Sequence, residues 1–384
     1  NYDRIRFQVL DPSVLPPEKN PTVKYGLAPI TWRPYRGQPA GSAPFGIVLE
    51  GNGKFRKIEF DFAPTYVGTT VILGLENIAE RINNAVSELL GAGQKIVYVR
   101  GHGIPELQDR RSPQGGGLLS ELLSRSYEVA ELDLALEDIP ADCSVLIING
   151  PSEPFTDAEK YRIDQYVMQG RPLIFFANSF MEMQTQDMMG GSVMLPVDTG
   201  MEEMLASYGI KVNRNLVLDR SSAQVNYGEM VIDYPITPLI RKETLNSENV
   251  ITRYLNSVLF VRTSSIDADE KMKERGVQFT DLVKTSENSW LMEGRMQTNP
   301  LFMKPPEGIQ MKSYTVAMLA SGRFDSFFKG KPLPVVKDDK KKKSSLEKTV
   351  RLDSTVESGN SRIIVGGSSE ITRSMTMNQA RRFL

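Results

Sequence analysis

The chain has 384 residues, with 46 Lys and Arg against 47 Asp and Glu, 40% apolar and 24% charged residues. This length allows two or three domains and the composition allows buried cores, whereas a net charge of −1 excludes the broad basic footprint of nucleic-acid binding. The single cysteine, Cys143, excludes an internal disulfide framework and a cysteine-built zinc site, and the single histidine, His102, cannot supply a His-rich centre. No metal and no cofactor are expected.

In chain order, Arg4–Leu10 alternates charged and apolar residues before Asp11 and Pro12 and reads as a strand. Phe45–Glu50 and Lys57–Phe62 flank Gly51-Asn52-Gly53, and the Asn-Gly pair signals a hairpin. From Thr69 to Leu90 the apolar residues Val71, Leu75, Ile78, Ile82, Val86 and Leu89 recur at helical spacing, with Gly91 closing the predicted helix. A domain boundary is placed at Gly91–Gln94. Residues 1–92 then form a smaller α+β domain and residues 93–384 a larger α/β domain.

Lys95–Val99 is a buried-strand candidate leading into Arg100-Gly101-His102-Gly103. Leu118–Arg125 reads as a helix, Tyr127–Leu132 as a strand, and Cys143–Asn149 as a strand ending at Gly150-Pro151. Cys143 is expected to be buried as a small apolar residue. Thr156 caps a helix from Asp157 to Gly170, and Leu173–Ala177 is the next strand. This alternation predicts a parallel sheet with right-handed crossovers. A helix at Met201–Tyr208 follows, and Asn215–Asp219 leads into a less regular region. Ser257–Val261, Thr315–Leu319 and Arg362–Val365 are candidates for further strands of the same sheet. The Lys- and Ser-rich segment 337–361, with Lys340–Lys343, reads as a loop, the alternative being contact with anionic lipid head groups. No apolar run approaches the ~20 residues that cross a bilayer. The chain opens on Asn1 and stops at Leu384 inside a helical pattern, so it is expected to be a piece of a longer protein whose flanks carry membrane segments.

Candidate ligand-binding residues gather at predicted strand ends. Gly101, His102 and Gly103 follow the first buried strand, with Glu106 and Asp109 beyond, and loops at the carboxyl ends of parallel strands are where open α/β sheets take ligands. Asn149, Gly150 and Pro151 end the neighbouring strand and face the same expected crevice. In each case a turn that uses Gly for its backbone, with His102 packing locally, is the alternative. Gly115-Gly116-Gly117 precedes a helix but lacks the Lys-Ser/Thr of a phosphate loop. Met181, Met183, Met188, Met189 and Met194, with Gly190-Gly191, suggest an adaptable contact surface or a loosely packed loop. Gly170-Arg-Pro-Leu-Ile-Phe-Phe-Ala177 resembles the strand entering the nucleophile elbow of class I glutamine amidotransferases, and Ala177 stands at the nucleophile's place. A hydrolase using His102 with Glu106 or Ser179 is the alternative to a chain without a catalytic centre.

Lys95-Ile-Val-Tyr-Val-Arg-Gly-His-Gly103, Val145-Leu-Ile-Ile-Asn-Gly-Pro151, Asp164-Gln-Tyr-Val-Met-Gln-Gly170, Tyr208-Gly-Ile210, Leu216-Val-Leu-Asp219, Thr285-Ser286 with Trp290, and Arg362-Ile-Ile-Val-Gly-Gly367 stand in the order and spacing of a known family. Over most of its length the chain resembles the gliding-motility-type (GldG-like) ABC-transport auxiliary proteins, the ABC-type uncharacterized transport system. Upstream, Asp11-Pro12, Tyr25-Gly26 and Ile58–Phe62 resemble the second half of that family's N-terminal domain. The resemblance implies a Rossmann-like, amidotransferase-like parallel sheet preceded by a smaller α+β, thioredoxin-like domain. It also implies a non-enzymatic module on the extracytoplasmic (periplasmic) face of the membrane, held by flanking transmembrane helices, with ABC permease and ATPase subunits as partners. The middle domain is similar to one shared with an intraflagellar transport protein, which implies a saccharide or cell-wall-like ligand. Two departures stand out: Ile104-Pro105 separate Gly-His-Gly from Glu106, where the family has Glu directly, and the Lys-rich insertion is particular to this sequence.

Overall fold

The computed structural model describes residues 6–11, 15–16, 20–32, 34, 37, 39–51, 53–64, 70–73, 75, 78–91, 94–184, 192–294, 296, 298–334 and 355–380. The chain divides into two compact units, one of residues 1–94 with 125–128 and one of residues 95–124 with 129–384.

The first unit is built from two-stranded ribbons and a helix. Gly46–Gly51 pairs antiparallel with Lys54–Glu59 around the Asn-Gly turn, and Asp61–Pro64 pairs with Thr70–Leu73. Ile58, Phe60 and Ala85 form its buried core, with Ile47, Leu49, Ile78 and Ile82 packed on it. Two expectations are corrected here. The stretch expected to be helical from Thr69 enters as a strand, and the helix spans Ile78–Gly91; Thr70, Val71 and Ile72 are β-branched and take a ribbon partner instead. The stretch read as one strand over Lys57–Phe62 is two, parted at Phe60. Arg6–Leu10 carries no strand.

The second unit centres on a seven-stranded sheet of β1 (Lys95–Val99), β2 (Glu128–Leu132), β3 (Cys143–Asn149), β4 (Leu173–Phe176), β5 (Gln278–Lys284), β6 (Thr315–Asp325) and β7 (Ser358–Gly366). Their order is β5-β6-β7-β4-β3-β1-β2. β1 with β3, β3 with β4, and β4 with β7 pair in parallel, whereas β6 runs antiparallel to both β5 and β7. β1, β3 and β4, and the Ile363–Val365 end of β7, read as nearly continuous apolar runs because they are covered on both faces: Val97, Tyr98, Val99, Leu146, Ile148, Leu173, Phe175, Ile363 and Val365 are buried. Cys143, buried too, is a free thiol.

The helices α1 (Gly117–Ser124), α2 (Asp157–Met168) and α3 (Met201–Ser207) belong to this unit. α2 starts on a full capping box, with Thr156 accepting from the Glu159 amide and Glu159 accepting from the Thr156 amide. It ends before Gly170 at φ +84, a left-handed stop that only glycine takes without strain. α2 packs along β7 so closely that a Cβ on Gly359 would lie 1.9 Å from the Met168 carbonyl oxygen.

The stretch after Asp219, expected to be irregular, is sheet. Leu216–Asp219 pairs with Ser289–Met292, and Met230–Arg241 pairs with both Ser222–Tyr227 and Ser257–Leu259. Ser257–Val261 was a candidate for the main sheet, and the structure places it here. The segment read as a loop over 337–361 is a strand from Ser358 onward; residues 337–354, with Lys340–Lys343, and Met188, Met189, Gly190 and Gly191 lie outside the described residues. Among the described residues no helix is long and apolar enough to cross a membrane.

Asp164 fastens α2 to the turn beyond β6. Fully buried, it accepts from Tyr208 Oη (2.7 Å), Ser326 Oγ (2.7 Å), the Phe327 amide (2.7 Å) and Gln165 Nε2 (2.9 Å). Replacing it strands several buried donors at once. Asp164→Ala is therefore expected to lower stability by about 3 kcal/mol or more, read as a fall in the urea midpoint at unchanged slope.

Candidate functional site

β1 delivers the chain into three successive left-handed residues, Gly101 (φ +86), His102 (φ +51) and Gly103 (φ +68). A side chain at φ > 0 costs about 1 kcal/mol, so His102 must be held there. Its backbone oxygen accepts from the Ser152 amide (2.8 Å) and the Glu153 amide (3.1 Å), which ties the turn to the segment following β3. Gly103 lies so near that segment that a Cβ would meet Ser152 Oγ at 1.9 Å. The base of the turn is fixed from below by Tyr98, whose hydroxyl donates to Pro105 O (2.8 Å).

The His102 ring points inward rather than into solvent. It stacks on Phe155 with centroids 3.9 Å apart. Nδ1 lies 3.1 Å from Pro154 O and Nε2 lies 3.0 Å from Glu159 Oε1. Both neighbours are acceptors, so the ring that satisfies both is the doubly protonated imidazolium. The hydrogen bond to Glu159, opposed by burial and helped by the charges of Glu159 and Glu153, raises the His102 pKa above its ordinary value. Burial opposes the charge of Glu159, but the hydrogen bonds from His102 and Thr156 prevail and bring its carboxyl down to about 2.

Above this turn an open cleft of about 650 Å³ is lined by Arg100, Gly101, Gly103, Ile104, Glu106, Gln108, Glu131 and Asp133. It lies at the carboxyl ends of β1 and β2. Arg100 stands 4.0 Å from Asp133, and Gln108 Nε2 donates to Glu131 at 3.2 Å. The volume falls in the ~300–1,000 Å³ range of small-molecule sites. Ile104 is buried, so the two residues inserted before Glu106 anchor the turn while Glu106 itself stands exposed on the wall.

The residues singled out in the sequence therefore separate. Gly101, Gly103 and Glu106 line the cleft, whereas His102 is turned to Glu159. Asn149, Gly150 and Pro151 are buried and are not among the lining residues. Asn149 Nδ2 donates to Tyr98 Oη (3.0 Å) and Thr372 Oγ1 (2.8 Å), and Gly150 (φ +67) packs where a Cβ would lie 2.2 Å from Ser369 Oγ. The alternative hydrolase would need His102 beside Glu106 or Ser179; the ring's partners are Glu159 and Pro154, and Ser179 Oγ accepts from Ser264 Oγ at 2.7 Å. Ala177 follows β4 and is buried, its amide donating to Gly366 O. Gly115, Gly116 and Gly117 give their amides to the Ser112, Glu106 and Asp109 carbonyls, so those groups are spent on the loop. Sequence reasoning missed Arg100, Gln108, Glu131 and Asp133 on the wall and Glu159 beneath it. Glu131 and Asp133 flank the end of β2, a strand-end position that could have marked them.

The pair sets a pH window. A His with a raised folded pKa adds stability that is complete below about 6.5 and lost as pH rises through the folded value; Glu159 adds stability that is complete above about 4.5 and lost as pH falls through about 2. The stability difference between the native chain and His102→Gln is expected to peak between about pH 4.5 and 6.5 and to shrink on the alkaline side, measured by denaturant unfolding at each pH.

An uncharacterized protein of Borreliella burgdorferi is 25% identical over 226 residues, which are 57% of this chain and 43% of that protein. The chain thus spans less than half the length of this relative. Among solved structures, the mmIFT52 N-terminal domain is similar with a TM-score of 0.40 at 13% identity, over 75% of this chain and 96% of its own. The exo-β-1,4-mannosidase Op5Man5 from Opitutaceae bacterium strain TAV5 gives a TM-score of 0.33 at 12% identity, over 82% and 38%. The model of the family described as ABC-type uncharacterized transport system matches residues 94–383, the whole of the sheet and cleft, and the chain belongs to that family.

Proposed function

We propose that the chain is a non-enzymatic, extracytoplasmic module of a membrane-anchored ABC-transport auxiliary subunit, of the gliding-motility or secretion type. It works through protein contacts with ABC permease and ATPase subunits, and its anchoring helices lie outside these residues. The family match over residues 94–383 is the observation that carries it. The cleft is the place for a ligand, and its Glu106, Gln108, Glu131 and Asp133 side chains suit the hydroxyls of a saccharide or cell-wall-like molecule.

The absence of catalysis rests on chemistry at named positions. The α/β unit is an amidotransferase-type sheet in which Ala177 takes the place of a nucleophile, and a methyl group cannot attack a carbonyl. His102 is the chain's one imidazole, and both of its nitrogens are engaged. It therefore has no free nitrogen with which to activate Ser179.

Affinity purification of the full-length protein from detergent-solubilised membranes is expected to bring down an ABC permease and its ATPase. Recovery from the cytoplasmic fraction with neither subunit overturns the proposal, as does a hydrolase turnover abolished in His102→Ala.

A further inference from the structure

The cleft wall and the buried ion pair are two sides of the same turn. Gly101 and Gly103 line the cleft, and His102 between them faces the opposite way, onto Glu159 and Pro154. Of its three left-handed residues only His102, at φ +51, carries a side chain and is strained, and several ties hold the turn to the rest of the unit. The Ile104 amide closes it on Gly101 O (2.9 Å), and His102 O receives the Ser152 and Glu153 amides. Tyr98 Oη holds its base at Pro105 O, and the ring adds a further tie, clasped between a carbonyl, a carboxylate and the face of Phe155.

We propose that His102 is a proton-operated clasp on the cleft wall: as imidazolium it holds the Gly101–Gly103 turn down onto Pro154 and Glu159, and loss of one ring proton lets the turn lift and reshapes the cleft. Neutral imidazole has a single N–H. Deprotonation therefore leaves either Pro154 O or the Glu159 carboxylate facing a lone pair, and the buried carboxylate loses its counter-charge. The strain of the left-handed His102 backbone then favours release.

The groups acting on the ring are all of one sign. Glu159 approaches from α2 and Glu153 from the segment after β3, and both favour the proton. On the same segment Thr156 donates its hydroxyl to Glu159 Oε2 at 2.7 Å, which keeps that carboxylate ionised and in place when the ring is neutral. Asp157, next along, is occupied by Lys160 at 2.8 Å. On the turn's own side, Arg100 lies toward Asp133. Glu159 stays charged throughout the physiological range, so the switching group is His102 alone.

The clasp regulates the cleft that the functional proposal assigns to a ligand, and it rests on that assignment only for its biological use. Its test needs no ligand. Because the chain has one histidine, long-range ¹H–¹⁵N spectra of the intact chain report this ring without overlap. Both ring nitrogens are expected to be protonated at about pH 6, below the ordinary imidazole value. The Ile104, Ser152 and Glu153 amides, corrected for intrinsic exchange, are expected to lose protection as the ring titrates, by about tenfold for each unit by which the folded pKa exceeds 6.5.

Glu159→Gln keeps an acceptor at Oε1 and removes the charge. It is expected to shift the ring titration and the loss of protection to lower pH together. A single neutral tautomer at about pH 6 overturns the proposal, and so does amide protection that stays flat through the ring's titration. The native-chain titration decides the matter by itself if Glu159→Gln does not fold. A clasp without any ligand for the cleft would overturn only the functional assignment; a pH-independent turn beside a cleft that binds a ligand would overturn only the clasp.

Discussion

Glu159 is almost without solvent and nevertheless charged, and the geometry of the turn follows from how that charge is balanced. The amide and hydroxyl of Thr156 close the first turn of α2 onto its carboxylate, and the His102 ring reaches it from the end of the adjacent strand. A buried carboxylate held in this way cannot move without leaving donors unpaired, so it fixes the helix start and the strand end relative to each other. It is one of the contacts that hold the left-handed backbone at His102. The cleft, in turn, has a defined floor.

How much of this the sequence displayed depended on which faces are covered. β1, β3 and β4 are apolar almost throughout, as is the Ile363–Val365 end of β7, because these stretches are covered on both faces, and such runs are recognisable without a partner in view. Met230–Arg241 was hidden for the opposite reason. Its first half is exposed, and it contains Pro235 and Pro238, which argue against a strand until two neighbours are seen flanking it. The start of the helix after Leu73 was hidden by a coincidence of period: Val71 and Leu75 fit a helical stripe, yet β-branched residues paired across a ribbon carry the first part.

The site was half legible. The glycines around His102 announced a special turn, but Gly-rich turns look alike whether they cradle a ligand or permit close packing. Glu159 drew no notice because α2 is polar in composition while burying Glu159, Asp164 and Gln165. Its signal was the Thr156-x-x-Glu159 spacing of a capping box, which identifies a carboxylate bound to backbone but not the histidine that comes to it from 57 positions earlier in the chain.

What the cleft can hold follows from which groups the fold has already used. The turn's glycines look suited to an anion, since glycine brings amides close to a ligand. Beside the turn, the Ile104, Gly116 and Gly117 amides close on the Gly101, Glu106 and Asp109 carbonyls. The wall that remains carries Glu106, Glu131 and Asp133 against a single guanidinium, Arg100. Three carboxylates beside one cation repel a phosphate or carboxylate ligand and accept hydrogen bonds from hydroxyl or amino groups. The glycines thus shape the cleft, and the acidic side chains at the strand ends set its chemistry.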